Sequence, residues 1–435
     1  MTDAQPVTGA RPTNVRWIVF LVLALGSFTS YVLRSNISVA APAMIEDLRL
    51  SEIQWGWVLA AFTAGYAIFQ LPGGVCGDRW GPRRTLAIIA ILWGALTIVT
   101  AAVPGPDVAS VGVVIGSLML VRFAVGAVHA PVFPVQNCAI SQWFPAGGWA
   151  LPLGLQSTAL TLGAAAVAPV LAWLILGFGW RIAFLILAPA GFIAGGIWWW
   201  YARDLPSQHA SVNAAELELI AADRPSPAEH VPPPPGWLRV LKNRDVLLVT
   251  LSYSCMNFVF YDVFNWFYYY LVEIRHFEPG TAGFVTSSQW IAGAAGAAAG
   301  GWVCDRLCRI SGLRWGCRWP IIIGMLSSAV LLVGGATIAN PIVAVSMLAA
   351  CFFFNQLCEG TYWATSVAVG GQFAGAAGGV LNTGANAMGI VNSLLVPLIA
   401  SAFGWTVAMA SGAGFAVLGA LLVLFVRADR PVRID

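Results

Sequence analysis

The residues of this sequence that could do chemistry are a few charged side chains inside long apolar runs. Arg34 lies in Trp17–Ile45, where every other residue is apolar or uncharged. A guanidinium stays charged and is costly to place in hydrocarbon, so it must face protein or water and find an anionic partner. The segment Tyr31–Asn36 therefore predicts an anion-binding site inside a membrane, with Tyr31 and Arg34 as binding residues.

A second arginine, Arg122, precedes His129 by two helical turns. The two side chains would share one helix face about 10 Å apart. Histidine titrates near neutral pH, which suits a proton carrier. A neutral His129 bonded to a neighbouring helix is the alternative, and the sequence does not separate the two.

Two carboxylates, Asp262 and Glu359, also lie inside apolar runs. Each could carry a proton or pair with Arg34 or Arg122. A fixed salt bridge between helices is the structural alternative for both.

Polar side chains elsewhere in the apolar runs are candidates to complete a binding cavity. Each is also typical of a hydrogen bond between helices, worth about 1 kcal/mol. The candidates are Tyr66, Gln70, Gln156, Asn265, Trp266, Tyr269, Asn355, Asn382 and Asn386. The aromatic runs Trp198–Trp200 and Tyr268–Tyr270 favour interfacial belts.

Composition places the chain in a membrane. Of 435 residues, 59% are hydrophobic and 9% are charged, against roughly 25% charged in soluble domains. The net charge of +3 is too small and dispersed to indicate a nucleic-acid partner. Cys304 and Cys308 share a helix face, but no His or second cysteine pair completes a zinc set, so we interpret them as packing residues. No metal or cofactor is predicted.

Apolar runs long enough to cross a bilayer recur along the chain and predict an all-α membrane protein with twelve spans. Residues 203–244 form the one long polar stretch, including the stiff run Pro232–Pro235. The predicted spans are 16–42, 54–76, 84–103, 109–136, 150–176, 180–202, 245–272, 281–303, 318–338, 341–367, 375–401 and 404–427.

Most Lys and Arg fall on the side of the two termini, so the positive-inside rule predicts cytoplasmic termini. The first 16 residues lack a signal peptide, and the first helix would serve as the insertion signal.

The two halves of the chain repeat. Asp78-Arg79 returns as Asp305-Arg306, and Phe178-Gly179-Trp180 returns as Phe403-Gly404-Trp405, at a near-constant offset. We therefore predict a six-helix half at 1–202, a cytoplasmic linker at 203–244 and a second half at 245–435. Two such parallel repeats are the plan of one class of secondary transporters, with the substrate between them.

The stretch Gly73–Arg84 resembles the signature loop of the major facilitator superfamily. The resemblance implies charge pairs that latch a cytoplasmic gate. The residues that it assigns to this gate are Asp78, Arg79, Arg83, Arg84, Asp305 and Arg306.

Within that superfamily the chain is similar to the anion:cation symporters, which include bacterial sugar-acid permeases. The similarity rests on Tyr31-x-x-Arg34-x-Asn36, Gln70–Gly74, Arg122-Phe123 and Ala130–Pro134. It implies that Arg34 binds the substrate and that Arg122 is the family's fourth-helix arginine. Arg122 would either share the substrate carboxylate or hold a coupling carboxylate. Bacterial members often carry Asp before the first arginine and Glu seven residues after the second. Here these positions are Leu33 and His129, which puts the usual proton route in doubt.

We expect a transporter and not an enzyme: a monomeric symporter of the bacterial inner membrane. Its partners would be a small organic anion (a sugar acid or other carboxylate), a co-transported proton or sodium ion, and the lipid bilayer. His129, Asp262 and Glu359 would couple the proton. The alternatives are an efflux carrier or uncoupled exchanger of organic anions and, from another class, a membrane enzyme or sensor. The sequence shows no nucleophile–base set, metal cluster, ATP-binding loop or output domain to favour these last two.

Overall fold

The computed structural model describes residues 11–145, 150–221 and 237–430, apart from the side chains of residues 71, 73–78, 150, 237–239 and 372. The Asp78 side chain and the Pro232–Pro235 run lie outside the described residues.

The described residues include nine helices that are long and apolar enough to cross a membrane. Two of them, Leu151–Tyr201 and Pro279–Thr337, turn at Gly179 and Gly312 and hold two spans each, and residues 52–80 add the span before Arg79–Ala101. The predicted all-α fold of twelve spans is confirmed. The spans are α1 (Val15–Asp47), α2 (52–80), α3 (82–101), α4 (Val111–Trp143), α5 (150–178), α6 (180–201), α7 (Arg244–Ile274), α8 (279–311), α9 (313–337), α10 (Pro341–Gly370), α11 (Ala374–Phe403) and α12 (Trp405–Val423).

Four glycines make the tightest turns between spans. Gly81, Gly179, Gly312 and Gly404 have φ of 78°, 76°, 73° and 85°, a region that glycine enters without the penalty that a Cβ brings. They join α2 to α3, α5 to α6, α8 to α9 and α11 to α12. The turns therefore occupy the same places in the first six spans as in the last six.

One boundary differs from the sequence prediction. Asp305 and Arg306, expected in a loop, lie inside α8, which continues to the turn at Gly312. Leucine and arginine in 305–311 favour helix, and nothing before Gly312 interrupts it.

Close contacts between helix backbones are made at glycine. A Cβ at Gly65 of α2 would lie 2.2 Å from the Phe123 carbonyl oxygen of α4, and a Cβ at Gly126 would lie 2.0 Å from that of Phe62. These two glycines therefore let α2 and α4 touch. The contact sets the aromatic face of α2 against the helix that carries Arg122.

Three spans are irregular near their middles. The helix of α4 breaks at Ala130-Pro131, directly after His129, and that of α10 breaks at Cys358, directly before Glu359. Helix α7 widens into π-helical turns at Asp262–Trp266 and Tyr270–Ile274. Such turns are rare and cluster at functional sites.

The aromatic runs are only partly interfacial. Trp199 and Trp200 are exposed, but Tyr268, Tyr269 and Tyr270 are all buried, and their hydroxyls donate to Pro279, Glu52 and Ala336. The belt predicted for the tyrosines is wrong, because all three consecutive side chains are buried in protein and their hydroxyls bond there.

Candidate anion-binding site

Arg34 lies in the middle of the protein inside a cage of aromatic rings. The side chain is 6% exposed. Its guanidinium carbon is 5.2 Å from the ring centroid of Tyr31, 5.2 Å from Phe62, 5.4 Å from Tyr66 and 4.9 Å from Phe264. Ring faces attract a cation, and a desolvated contact is worth about 2 kcal/mol. The rings hold the guanidinium in place without neutralising it.

Arg122 of α4 lies against the same cage. It is 3% exposed, and its guanidinium carbon is 4.8 Å from the Phe62 centroid. The Nε atoms of Arg34 and Arg122 have no hydrogen-bond partner. Within the described part of the chain, neither arginine forms an ion pair. Two buried positive charges therefore share one region in which the described residues supply no counter-charge.

His129 is the third member of this group. It is 3% exposed, and its ring lies 6.4 Å from Tyr31, 6.2 Å from Tyr66 and 5.3 Å from Trp93. The sequence spacing that put His129 on the Arg122 face of α4 thus agrees with the structure. Its neighbours are rings and arginines, with no carboxylate among the contacts described.

The last six spans supply the facing wall. Phe264 of α7 contacts Arg34, and Tyr261, one turn earlier, points its hydroxyl at the guanidinium. Trp290 of α8 packs against Phe264 at 5.8 Å and against Tyr31 at 6.4 Å. The cage is therefore built where the two sets of six spans meet.

Asp262 does not join the arginines. Its carboxylate accepts a hydrogen bond of 2.6 Å from Asn392 Nδ2 of α11, and its other oxygen faces Gly412 of α12. The possible ion pair with Arg34 or Arg122 is not formed. In the π-helical turn of α7, Asp262 points into the last six spans while Tyr261 and Phe264 point at Arg34.

Glu359 is also separate from the arginines. It accepts hydrogen bonds from the Tyr253 hydroxyl at 2.8 Å and from Trp363 Nε1 at 3.0 Å. It is half-buried and directly follows the break in α10. Both bonds come from neutral donors of the last six spans, so no cation balances this carboxylate in the described residues.

The amide candidates mostly bond to neighbouring helices. Gln156 donates to Gln136 at 2.6 Å, Asn265 to Ser393 at 3.1 Å and Asn355 to the Met256 carbonyl at 3.1 Å.

Asn386 of α11 differs from these amides. It accepts from the Tyr261 hydroxyl at 3.3 Å and donates to Gln70 of α2 at 3.5 Å and to the Asn382 carbonyl. Of the amide candidates, Asn386 therefore has the most direct connection to the arginine cage.

The two sets of six spans are held together at the end opposite the termini. Glu52, at the start of α2, accepts hydrogen bonds from Tyr269 at 2.7 Å and from Trp405 at 2.9 Å. A Cβ at Gly56 would lie 2.3 Å from the Ser393 carbonyl oxygen. We call these contacts the Glu52 latch.

At the end that carries the termini, the charged residues bond within their own set of spans. The Arg83 backbone donates to Asp204 and its guanidinium to the Trp199 carbonyl. Arg427 pairs with Asp245. Of the other gate residues, Arg79, Arg84, Asp305 and Arg306 are exposed. The described gate residues therefore do not connect the two sets, whereas the opposite end is latched.

Sequence reasoning identified Tyr31 and Tyr66 but missed the other rings of the cage. Phe62 lies one turn before Tyr66, and Tyr261 and Phe264 flank Asp262. The sequence signal that could have identified them is their spacing of one helical turn or less from Tyr66 and Asp262, which were already candidates. Twelve per cent of the sequence is aromatic, so ring content alone could not identify them.

Residues 23–370 match the family model of the Major Facilitator Superfamily. The chain is 30% identical over 415 residues to a hexuronate transporter of Bacillus subtilis, covering 94% of each protein. It is 31% identical to a probable galactarate/D-glucarate transporter of the same organism, covering 92% of this chain and 90% of the relative. It is 29% identical to a probable sulfoacetate transporter of Cupriavidus necator, covering 88% and 86%.

Solved transporters share the fold. A bacterial homologue of the human lysosomal transporter Spinster, in an inward-facing and unoccupied conformation, superposes with a TM-score of 0.78 at 17% identity and covers 96% of this chain and 98% of its own. A D-xylose–proton symporter gives 0.75 at 17% identity, covering 94% and 97%. The prediction of a transporter and not an enzyme is confirmed. The chain is an integral membrane transporter and belongs to the Major Facilitator Superfamily.

Proposed function

We propose that this protein is a secondary transporter of small organic anions, with Arg34 and Arg122 binding the anionic groups. The observation that carries the proposal is the pair of buried guanidiniums that no carboxylate balances among the described residues. Burying an unpaired charge is expensive, so such a pair is retained where a ligand supplies the opposite charge.

The number of unbalanced positive charges in the site favours dianions as substrates. One carboxylate would leave the group of Arg34, Arg122 and neutral His129 with one positive charge, whereas two anionic groups would neutralise it. Coulomb attraction is large where water is excluded. Some of the relatives' names fit this preference, since sulfoacetate, galactarate and D-glucarate each carry two acidic groups. A hexuronate carries one.

Proton coupling would use His129, which would take up a proton when the substrate binds. The anion would offset the charges of Arg34 and Arg122 and so permit a proton to bind with it, and release of the anion would expel the proton. Glu359, which has no cation partner in the described residues, is the second candidate. Asp262 would serve a structural role with Asn392. Uncoupled exchange or efflux is the alternative, because the carboxylates common in this transporter class are replaced by Leu33 and His129.

Transport would proceed by alternating access between two halves, 1–202 and 245–435, joined by 203–244. The latch at Glu52 and the separate gate residues support a state that is closed outside and open to the cytoplasm. Asp78-Arg79 and Asp305-Arg306 would meet the opposite half when the cytoplasmic side closes. We propose a monomer in the bacterial inner membrane with cytoplasmic termini, as the distribution of Lys and Arg favours.

Uptake into proteoliposomes tests the function. Labelled sulfoacetate, galactarate, D-glucarate and a hexuronate are supplied with and without an inward proton gradient, using wild type, Arg34→Ala and the matched control Arg49→Ala. Arg49 is an exposed arginine paired with Asp107. We expect saturable uptake of at least one dianion, lost in Arg34→Ala and kept in the control. Uptake of no anion, or equal uptake by Arg34→Ala, would contradict the proposal. Stimulation by the gradient separates symport from uncoupled exchange.

A further inference from the structure

Three cysteine thiols meet at the end of α8 and the start of α9, far from the arginine cage. Cys304 Sγ lies 4.0 Å from Cys308 Sγ, which lies 3.8 Å from Cys317 Sγ. All three sulfurs fall within 4.8 Å of one another. We propose that this thiol cluster binds a thiophilic divalent cation such as Zn²⁺.

Two of the three sulfur pairs have the spacing that this chemistry requires. Zinc–thiolate bonds measure about 2.3 Å, so thiolates around one ion are roughly 3.8–4.0 Å apart in tetrahedral or trigonal geometry. A disulfide would need its sulfurs at about 2.05 Å, which these are not. Thiolate ligands select zinc and other soft cations over magnesium or calcium.

The fold brings the third cysteine to the other two. Cys304 and Cys308 are four residues apart on α8 and share one face. The turn at Gly312 then returns the chain so that Cys317 of α9 reaches them. A Cβ at Gly316 would lie 2.4 Å from Cys308 Cα, so glycine is needed for this approach. The linear spacing of Cys304 and Cys308 predicts packing residues, because nothing in it shows that Cys317 closes the set.

A buried oxygen offers a fourth ligand. The Thr361 side chain of α10 is fully buried, its hydroxyl lies beside the Cys304 thiol, and no other hydrogen-bond partner for it occurs among the described residues. A hydroxyl whose close polar neighbour is a thiol can turn an oxygen lone pair toward a cation that the thiol binds. Three sulfurs and one oxygen would give the four-coordinate shell that Zn²⁺ prefers. Cys308 is partly exposed and gives the ion a way in.

Binding would involve no oxidation. Each thiol would release its proton to water as its sulfur bonds to the cation, so that three thiolates and one divalent ion carry a net charge of minus one. Basic residues of the same turn, Arg306, Arg309 and Arg314, would balance that charge. The ion would tie α8, α9 and α10 together beside Asp305-Arg306.

Cd²⁺ is the probe, because its bond to thiolate gives an ultraviolet charge-transfer band. The full-length protein in detergent, with its thiols reduced, is titrated with Cd²⁺ and its bound metal is counted by mass spectrometry. We expect one ion per chain, a thiolate band and a raised melting temperature, since a ligand that binds only the native state stabilises it. Mg²⁺ should give none of these.

Cys308→Ser should weaken Cd²⁺ binding at least tenfold, and the matched control Cys138→Ser should not. Because Cys308 is only partly buried, its serine variant should fold, and the melting temperature without metal checks this. Cys317→Ser is a second variant that removes one thiol of the cluster. The proposal is overturned if wild type binds no Cd²⁺ with a thiolate band, or if Cys308→Ser and Cys317→Ser bind it as wild type does.

Discussion

Arg34 and Arg122 share one phenyl ring: their guanidinium carbons lie 5.2 Å and 4.8 Å from the centroid of Phe62. The two residues come from α1 and α4 and are brought together by α2, which contacts α4 through Gly65 and Gly126. Phe62 is therefore a spacer that holds two like charges close without neutralising either. Two such charges would suit a ligand with two anionic groups.

Replacing Arg122 should lower the affinity for dianions more than for monoanions. In Arg122→Gln the half-saturation concentration for galactarate or sulfoacetate should rise about tenfold or more, equivalent to about 1.4 kcal/mol. The half-saturation concentration for a hexuronate, which needs one guanidinium, should change less. Competition against labelled substrate in proteoliposomes measures both. Equal losses for the two substrate classes would contradict the charge argument.

Replacing His129 should make transport insensitive to a proton gradient. His129→Gln keeps a polar side chain of similar size but cannot carry a proton near neutral pH. Exchange of substrate across the membrane should persist, while stimulation by an imposed proton gradient should disappear. Glu359→Gln is the parallel test for the second candidate. If both variants keep the wild-type response to the gradient, His129 and Glu359 have structural roles.

The Glu52 latch should control access from outside. Glu52→Gln weakens the acceptor of Tyr269 and Trp405. Gly56→Leu adds a side chain whose Cβ would lie only 2.3 Å from the Ser393 carbonyl oxygen. Both should favour the state that is open outside. In each background, Ser393→Cys should react faster with a membrane-impermeant thiol reagent than it does in the wild-type background. An unchanged rate would show that the latch does not limit opening.

Glu216 should stabilise the fold in a pH-dependent way. This linker residue lies in the helix Ala214–Ala221 with a fully buried side chain, and it accepts hydrogen bonds from Thr13, Val15 and Arg16 at the start of α1. Burial alone would raise its pKa, but these bonds and the Arg16 charge hold the pKa below the ordinary 4.5. The stabilisation is therefore present above about pH 4.5 and is lost as pH falls through the lowered pKa.

Glu216→Gln measures that contribution. At pH 7 the free energy of unfolding of the variant should be about 1–3 kcal/mol lower than that of wild type, which is the cost of losing hydrogen bonds to a charged group. The difference in melting temperature from wild type should shrink below pH 4.5. The exposed neighbour Glu218 offers Glu218→Gln as a matched control, which should melt like wild type. A difference that stays constant down to acid pH would contradict the lowered pKa.

The fold was largely predictable from sequence because apolar length and basic loops follow from the bilayer itself. The site was predictable only in part. Charged residues inside apolar runs identified Arg34, Arg122 and His129, which the structure brings together. The same rule grouped Asp262 and Glu359 with them, but the π-helical turn of α7 directs Asp262 to Asn392. That turn has no clear sequence signal, and neither does the burial of Tyr268, Tyr269 and Tyr270 further along the same span.

The central claim is that Arg34 provides a positive charge for the substrate. The most direct measurement is substrate-induced stabilisation of the purified protein in wild type, Arg34→Lys, Arg34→Ala and the control Arg49→Ala. Galactarate, D-glucarate and sulfoacetate are the ligands. We predict that at least one dianion raises the melting temperature of wild type and of Arg49→Ala, that Arg34→Lys retains a reduced shift, and that Arg34→Ala shows none. A shift in Arg34→Ala equal to that of wild type would contradict the account.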